Sequence, residues 1–296
     1  MHKLSRINAT IGILMLGFLT SCTLATPLNL IARGGDWTVS SEKYGANARN
    51  GIDIYTPTGA SNAPVIVFFY GGNWQSGDKD MYRFVGASLA ARGYVTVIPD
   101  YRLYPEVRFA GFMQDSAQAV AWTKKNIKGL GGNPNAVFLM GHSAGAHIAA
   151  MLTLDGRWLA QDGLNSRRDI AGLIGIAGPY DFLPLKDDAL KIIFSGGDIQ
   201  RTQPITFVKG GEQAAMLVAG LKDETVDPGN TARLSARLRA NGGDVTEIEY
   251  SSIGHVTIIG AFSPLLRSLA PVLSDVDAFV ASHARRRQRA PAESGR

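Results

Sequence analysis

The sequence predicts an α/β fold: a doubly wound, mostly parallel central sheet with helices on both faces and a minimal cap. Three observations carry that expectation. Short apolar runs such as Pro64-Val-Ile-Val-Phe-Phe-Tyr70 alternate with segments of helical spacing, the pattern of strands buried on both faces by crossover helices. The stretch Val137-Phe-Leu-Met-Gly-His-Ser-Ala-Gly-Ala-His-Ile-Ala-Ala-Met-Leu152 reads as buried strand, tight turn and helix. Every residue suited to chemistry follows the C-terminal end of a predicted strand, where open α/β sheets bind ligands.

Taken in order, residues 50–57 alternate like an antiparallel edge strand and stop at Pro57. Residues 64–70 form a central strand. Residues 81–92 carry helical spacing and end at Gly93. Residues 94–98 are the next strand, broken by Pro99-Asp-Tyr-Arg102, and 112–127 the next helix. The turn Gly129-Leu-Gly-Gly-Asn-Pro134 leads into the strand 137–140 and the helix 146–152. Strands at 170–177, 214–219 and 245–250 follow, with a helix at 231–240 closed by Asn241-Gly-Gly243. Residues 262–282 are expected to form one closing helix.

The chain has 296 residues, 45% apolar and 19% charged, which is a globular composition. Its net charge of +5 comes from basic ends around a near-neutral body. Residues 23–284 are assigned to one α/β domain, and 285–296 to a basic, solvated tail. No aromatic residues interleave the arginines of Arg285-Arg-Arg-Gln-Arg289, so a nucleic-acid partner is not expected.

Met1-His-Lys-Leu-Ser-Arg6 is a basic start, and residues 11–19 are apolar but too short to span a bilayer. They end in Leu19-Thr-Ser-Cys22, which resembles the lipobox of bacterial lipoproteins. That resemblance implies a signal peptide over residues 1–22, lipidation of Cys22 and, with Thr23 next, an outer-membrane location in the cell envelope. Cys22 is the chain's one cysteine, so no disulfide is expected. Ordinary cleavage after Thr23-Leu-Ala25, releasing a periplasmic protein, is the alternative.

Gly141-His-Ser-Ala-Gly145 fits G-x-S-x-G, in which a serine sits on a sharp strand-to-helix turn with its Oγ exposed. The flanking glycines let strand and helix close without a Cβ clash. Ser143 is therefore the candidate nucleophile, and the free N–H of Ala144 is a candidate oxyanion donor. The chain has five histidines. His2 lies in the leader and His283 beside the basic tail. His142 is expected to point away from Oγ into the packing beneath the turn, and His147 to run down the helix. His255, just after the last strand, is left as the general base; a solvent-facing loop histidine is the alternative reading. The orienting acid is sought in Gly220-Leu-Lys-Asp-Glu-Thr-Val-Asp-Pro228. Asp223 comes first after the turn and is assigned, while Asp227 before Pro228 better suits fixing the turn. Glu224 is expected to be solvated.

The loop Gly71-Gly-Asn-Trp74 brings backbone N–H groups close to a reacting carbonyl, so Gly72 and Asn73 are assigned as oxyanion donors. The same loop begins like a phosphate cradle, but Asp78 stands where lysine is required. Trp74, Tyr180 and Phe182 are candidate pocket walls, with core packing the competing role. No His, Cys and carboxylate cluster has metal-ligand spacing, so no metal or cofactor is expected.

Together these residues resemble the α/β-hydrolase superfamily, in particular small serine carboxylesterases of the feruloyl-esterase-like and kynurenine-formamidase-like groups. The resemblance runs over roughly residues 40–282. It rests on Tyr70-Gly-Gly-Asn-Trp74, on Gly141 to His147, and on Gly220-x-x-Asp223-x-x-Val226. Pro99-Asp-Tyr-Arg102 and Gly178-Pro-Tyr-Asp-Phe182 add to it. Two departures stand out: Tyr70 replaces a histidine that supports the loop in the family, and Asp227 intrudes before Pro228. The resemblance implies hydrolysis of small acyl or aromatic esters through an acyl-enzyme. Amide or formamide hydrolysis by the same three residues is the alternative, and a catalytically silent envelope-anchored binding protein is a third.

Overall fold

The apolar runs become strands because each is covered on both faces. The computed structural model describes residues 25–29 and 35–289; the expected signal peptide, Cys22 and the last seven residues lie outside the described residues. The strands are β1 (Trp37–Lys43), β2 (Gly51–Pro57), β3 (Ala63–Phe69), β4 (Val95–Pro99), β5 (Gly132–His142), β6 (Gly172–Ile176), β7 (Ala214–Gly220) and β8 (Val245–Tyr250). They form one sheet in the order β1-β2-β4-β3-β5-β6-β7-β8. β1 and β2 are antiparallel to their neighbours, and β4, β3, β5, β6, β7 and β8 run parallel. The residues from Val65 to Phe69 are fully buried, as are those from Ala136 to Met140. Continuous apolar sequence is what such a position requires.

Among the described residues, helical stretches of five residues or fewer aside, the helices are α1 (Arg83–Ala90), α2 (Phe109–Asn126), α3 (Ala144–Leu154), α4 (Asp188–Ile193), α5 (Gly229–Ala240), α6 (His255–Gly260) and α7 (Val272–Arg289). α3 packs on β3, β5 and β6, and α7 on β5, β6 and β7. The helical turn Lys79–Tyr82 and α1 after it start at side chains that accept backbone N–H groups. Asp78 Oδ1 accepts from Met81 N and Asn29 Oδ1 from Phe84 N, both at 3.0 Å. Lys124 and Lys125 in the last turn of α2 oppose the negative end of its dipole. Among the described residues, no helix is long and apolar enough to cross a membrane.

Three sequence expectations are corrected here. β2 is not the edge strand: the polar segment Trp-Thr-Val-Ser-Ser-Glu-Lys pairs outside it as β1, largely exposed. Its weak apolar pattern follows from lying on the rim. The single closing helix over 262–282 does not form, because Pro264 and Pro271 interrupt it; only the part after Pro271 becomes α7. α7 then runs on through Arg289, so residues 285–289 are helical and the expected domain end at 284 falls inside a helix. Asp244 holds this last turn, pairing with Arg286 at 2.9 Å.

Candidate active site

The turn after β5 is the most constrained point of the backbone. Ser143 has φ 56° and ψ −124°, a region that a non-glycine residue enters only when its surroundings force it there. Its N–H donates to Ile176 O at 2.9 Å, and its carbonyl accepts from Ala146 N at 2.9 Å. The flanking glycines are obligatory. A Cβ on Gly141 would lie 2.1 Å from Gly145 O, and one on Gly145 would lie 1.9 Å from Phe69 O. Ser143 thus sits at the head of α3, 9% exposed.

His255 is the first residue of α6 rather than a free loop residue. Gly254 N donates to Thr257 Oγ1 at 2.8 Å and closes the turn before it. Nδ1 of His255 lies 2.7 Å from Asp223 Oδ2, and Nε2 lies 2.8 Å from Ser143 Oγ. A carboxylate only accepts, so Nδ1 carries the proton, and Nε2 presents a lone pair to the serine hydroxyl. Asp223 is itself fixed from behind: its Oδ1 accepts from Thr225 N and Val226 N, each at 2.9 Å. Burial works to raise this carboxyl. The His255 hydrogen bond and charge, together with those two N–H groups, outweigh it and hold the group below the ordinary carboxylate range. Asp227 serves the turn instead. Its Oδ1 accepts from Gly229 N at 2.9 Å, Oδ2 meets Arg233 at 3.2 Å, and the side chain is 65% exposed. Glu224 is exposed.

The loop after β3 is strained over three residues, with φ of 130° at Gly72, 56° at Asn73 and 58° at Trp74. A Cβ on Gly72 would fall 2.1 Å from Ser76 O, so only glycine fits. The Gly72 carbonyl accepts from Gln75 N and Ser76 N, both at 3.0 Å, and the Trp74 carbonyl from Tyr104 N at 2.9 Å. Among the described residues, the N–H groups of Gly72, Asn73 and Ala144 donate to no protein acceptor, as groups kept for an incoming oxygen must. Behind the loop, Tyr101 Oη donates to Tyr70 O at 2.7 Å, and Tyr70 Oη donates to Asp100 Oδ1 at 2.9 Å. Arg49 bridges from Tyr70 Oη to Gly77 O. Tyr70 is therefore a brace, as expected for the position. Its partners Asp100, Tyr101 and Arg49 are not expected from the sequence, where Pro99-Asp-Tyr-Arg102 carries a resemblance but no role.

Two histidine expectations and one aromatic expectation meet the structure differently. His147 does not simply run down α3: its ring packs against Trp74, Phe182 and Phe194, its Nε2 donates to Thr202 O at 2.8 Å, and burial pushes its pKa down to about 4. His142 does not point into the packing beneath the turn. Its ring lies against His255, centroids 4.8 Å apart, with Nε2 3.0 Å from the His255 carbonyl oxygen, because α6 begins over the end of β5. Tyr180 is no pocket wall: it is fully buried, its ring filling the space left by Gly175 and Gly178. Trp74 is 2% exposed and Phe182 half-buried. The two stack at 6.0 Å and 21°, with Phe194 edge-on to Trp74 at 4.8 Å. Phe182 and Phe194 belong to the long segment between β6 and β7, which crosses above His147. An open hollow of about 550 Å³ on that segment is lined by residues including Leu183, Leu185 and Ile199, with Ser143, His255 and Asp223 not among them.

An eight-stranded, mostly parallel sheet with a strained serine turn after its fifth strand, and a Ser–His–Asp array assembled from three strand ends, is an α/β-hydrolase fold. The structure aligns with an inhibited esterase B from Lactobacillus rhamnosis at a TM-score of 0.80 and 20% identity, covering 95% of this chain and 99% of that one. The BD-FAE family model matches residues 52–238, so the chain belongs to the BD-FAE family. A probable isoprenylcysteine alpha-carbonyl methylesterase of Oryza sativa is 33% identical over 182 residues, 56% of this chain and 43% of that protein. A kynurenine formamidase of Salmo salar is 30% identical over 155 residues, 52% of this chain and 50% of that one. The chain thus spans about half the length of these relatives or less.

Proposed function

We propose that this protein is a serine carboxylesterase that hydrolyses small acyl or aromatic esters through an acyl-enzyme. The observation that carries the reading is the continuous path from Ser143 Oγ to His255 at 2.8 Å and on to Asp223 at 2.7 Å. Ser143 Oγ attacks the ester carbonyl carbon while His255 Nε2 takes its proton. Asp223 keeps the proton on Nδ1 and stabilises the imidazolium. The oxyanion is held by the N–H groups of Gly72, Asn73 and Ala144. His255 returns the proton to the departing alkoxide oxygen as the C–O bond breaks. It then deprotonates water, which attacks the acyl carbonyl, and returns that proton to Ser143 Oγ as the acyl–Oγ bond breaks and the acid leaves. The half-buried Phe182, stacked on Trp74 of the oxyanion loop, is the side chain best placed to tune which acyl groups are admitted.

The decisive comparison is p-nitrophenyl acetate and butyrate turnover by wild type and Ser143→Ala. The substitution is expected to lower kcat by at least about a thousandfold. Equal rates in the two proteins, or none in either, would overturn the reading. The similarity to a kynurenine formamidase favours a second reading, hydrolysis of N-formyl amides by the same residues; an N-formylaniline assay run in parallel separates the two. The lipobox-like Leu19-Thr-Ser-Cys22 supports an envelope-anchored protein. Expression with radiolabelled palmitate should label wild type and leave Cys22→Ser unlabelled, and an unlabelled wild type would remove the anchor from the proposal.

A further inference from the structure

His142 precedes the nucleophile, yet the reaction as written gives it no part. Its surroundings are specific. A carbonyl oxygen only accepts, so the 3.0 Å contact to the His255 carbonyl puts the His142 proton on Nε2. Nδ1 is then a bare lone pair, buried and without a hydrogen-bond partner among the described residues. That atom faces the oxyanion loop: a Cβ built on Gly71 would lie 3.2 Å from His142 Nδ1 and 3.0 Å from Ser143 Cβ. One ring therefore touches the base's backbone, the base's imidazole at 4.8 Å between centroids, and the first glycine of the loop that presents the oxyanion donors. Burial first, and the His255 charge second, push its pKa down to about 3, so it confronts the imidazolium as a neutral ring at any working pH.

We infer that His142 is a positioning residue for the general base: its Nε2–H holds the His255 carbonyl, and its ring spaces the imidazole from the oxyanion loop. This rests on the esterase reading above. The geometric demand is strict, because His255 must meet Asp223 and Ser143 at once, at 2.7 and 2.8 Å. α6 is only six residues long, and a short helix gives its first residue little rigidity of its own. A donor aimed at that residue's carbonyl supplies the missing restraint without placing a second charge beside the base.

The test compares wild type, His142→Phe, which keeps a ring but loses the donor, and His142→Gln, which keeps a neutral N–H donor. For p-nitrophenyl acetate the Phe variant is expected to lose about tenfold to a hundredfold in kcat, the scale of a small misplacement of a reacting group. KM should change by less than about twofold, since ground-state binding is untouched. The Gln variant should recover most of the loss. Unchanged kcat in both variants, a loss confined to KM, or no recovery by Gln in a folded protein would overturn the inference. The wild type supplies a check that survives misfolding of either variant. Imidazole ¹⁵N spectra should show His142 as the neutral Nε2–H tautomer from about pH 5 to about pH 9, well above its lowered pKa. An Nδ1–H tautomer or a titrating ring would overturn the inference. Inactive wild type would instead sink the esterase reading and leave the tautomer measurement standing.

Discussion

The serine turn and the segment crossing above it are built on opposite principles. At the turn, position is enforced by backbone: Gly141, Gly145 and Gly72 each sit where a Cβ would approach a main-chain oxygen to about 2 Å, and Ser143 and Asn73 are held at positive φ. Above it, position comes from rings. Trp74, Phe182, Phe194 and His147 meet at 4.8–6.0 Å in edge and stacked pairs, and α4 is a six-residue helix with exposed residues on both sides. Main-chain clashes admit no compromise, whereas ring packing tolerates rearrangement at modest cost. The first region fixes the backbone around Ser143. The second can vary what is admitted.

The strongest way to break that contrast is Gly145→Ala against Phe182→Ala. The alanine methyl has no room beside Phe69 O, and the change is expected to cost more than about 4 kcal/mol or prevent folding. Removing the half-buried Phe182 ring should cost about 1–2 kcal/mol and alter the acetate-to-butyrate preference. Urea melts of the two variants measure the stability losses and ester assays the preference; equal losses would show that the contrast is false.

Next in size is the division of labour between two neighbouring carboxylates. Asp223→Asn should lower kcat by about 10⁴-fold, because the amide favours the wrong imidazole tautomer. Asp227→Asn, at a solvent-exposed cap, should stay within a few-fold. Comparable losses in the two variants would reassign the acid.

A separate effect is expected in acid. His142 and His147 are buried and neutral with pKa values of about 3 and about 4, while in the unfolded chain they return to the ordinary range around 6.5. Between those values the unfolded state binds more protons, so acid favours unfolding. Stability should hold above about pH 6.5 and fall below it, by up to about 1.4 kcal/mol per pH unit for each histidine. Asp223 acts with the same sign lower down: its depressed carboxyl stabilises the fold above the unfolded value of about 3.9, and that contribution is lost as pH falls through the folded one. Urea midpoints at about pH 8, 6.5 and 5 bracket the histidine part, and a flat profile across them would show that the two rings are not held neutral.

How much of this is legible in the sequence depends on range. Ser143, His255 and Asp223 can be found because each follows a strand end with its own local mark: a glycine-flanked serine, a lone remaining histidine, a carboxylate after a turn. The strand 245–250 is legible to the residue because turn residues close it on both sides, Asn241-Gly-Gly-Asp244 before and Ser251-Ser252 after. β1 is not, since a rim strand has little apolar signal. The closing helix looks longer than it is unless Pro264 and Pro271 are given their full weight as breakers. Tyr180 looks like a wall because a lone aromatic near a strand end gives no sign of which side is filled.

By itself, the sequence determined the strand–turn–helix that strains Ser143, the loop whose glycine cannot carry a Cβ, and the order in which Ser143, Asp223 and His255 follow their strands. These are consequences of local backbone sterics and hydrophobic period, which act over a few residues. Only the tertiary structure decided that Asp223 rather than Asp227 reaches His255, that Tyr70 braces its loop through Asp100 and Arg49, and that His142 lies against His255. Those contacts join residues from 21 to 113 positions apart. Nothing in a local pattern reports which distant side chains the packed sheet brings within hydrogen-bonding reach.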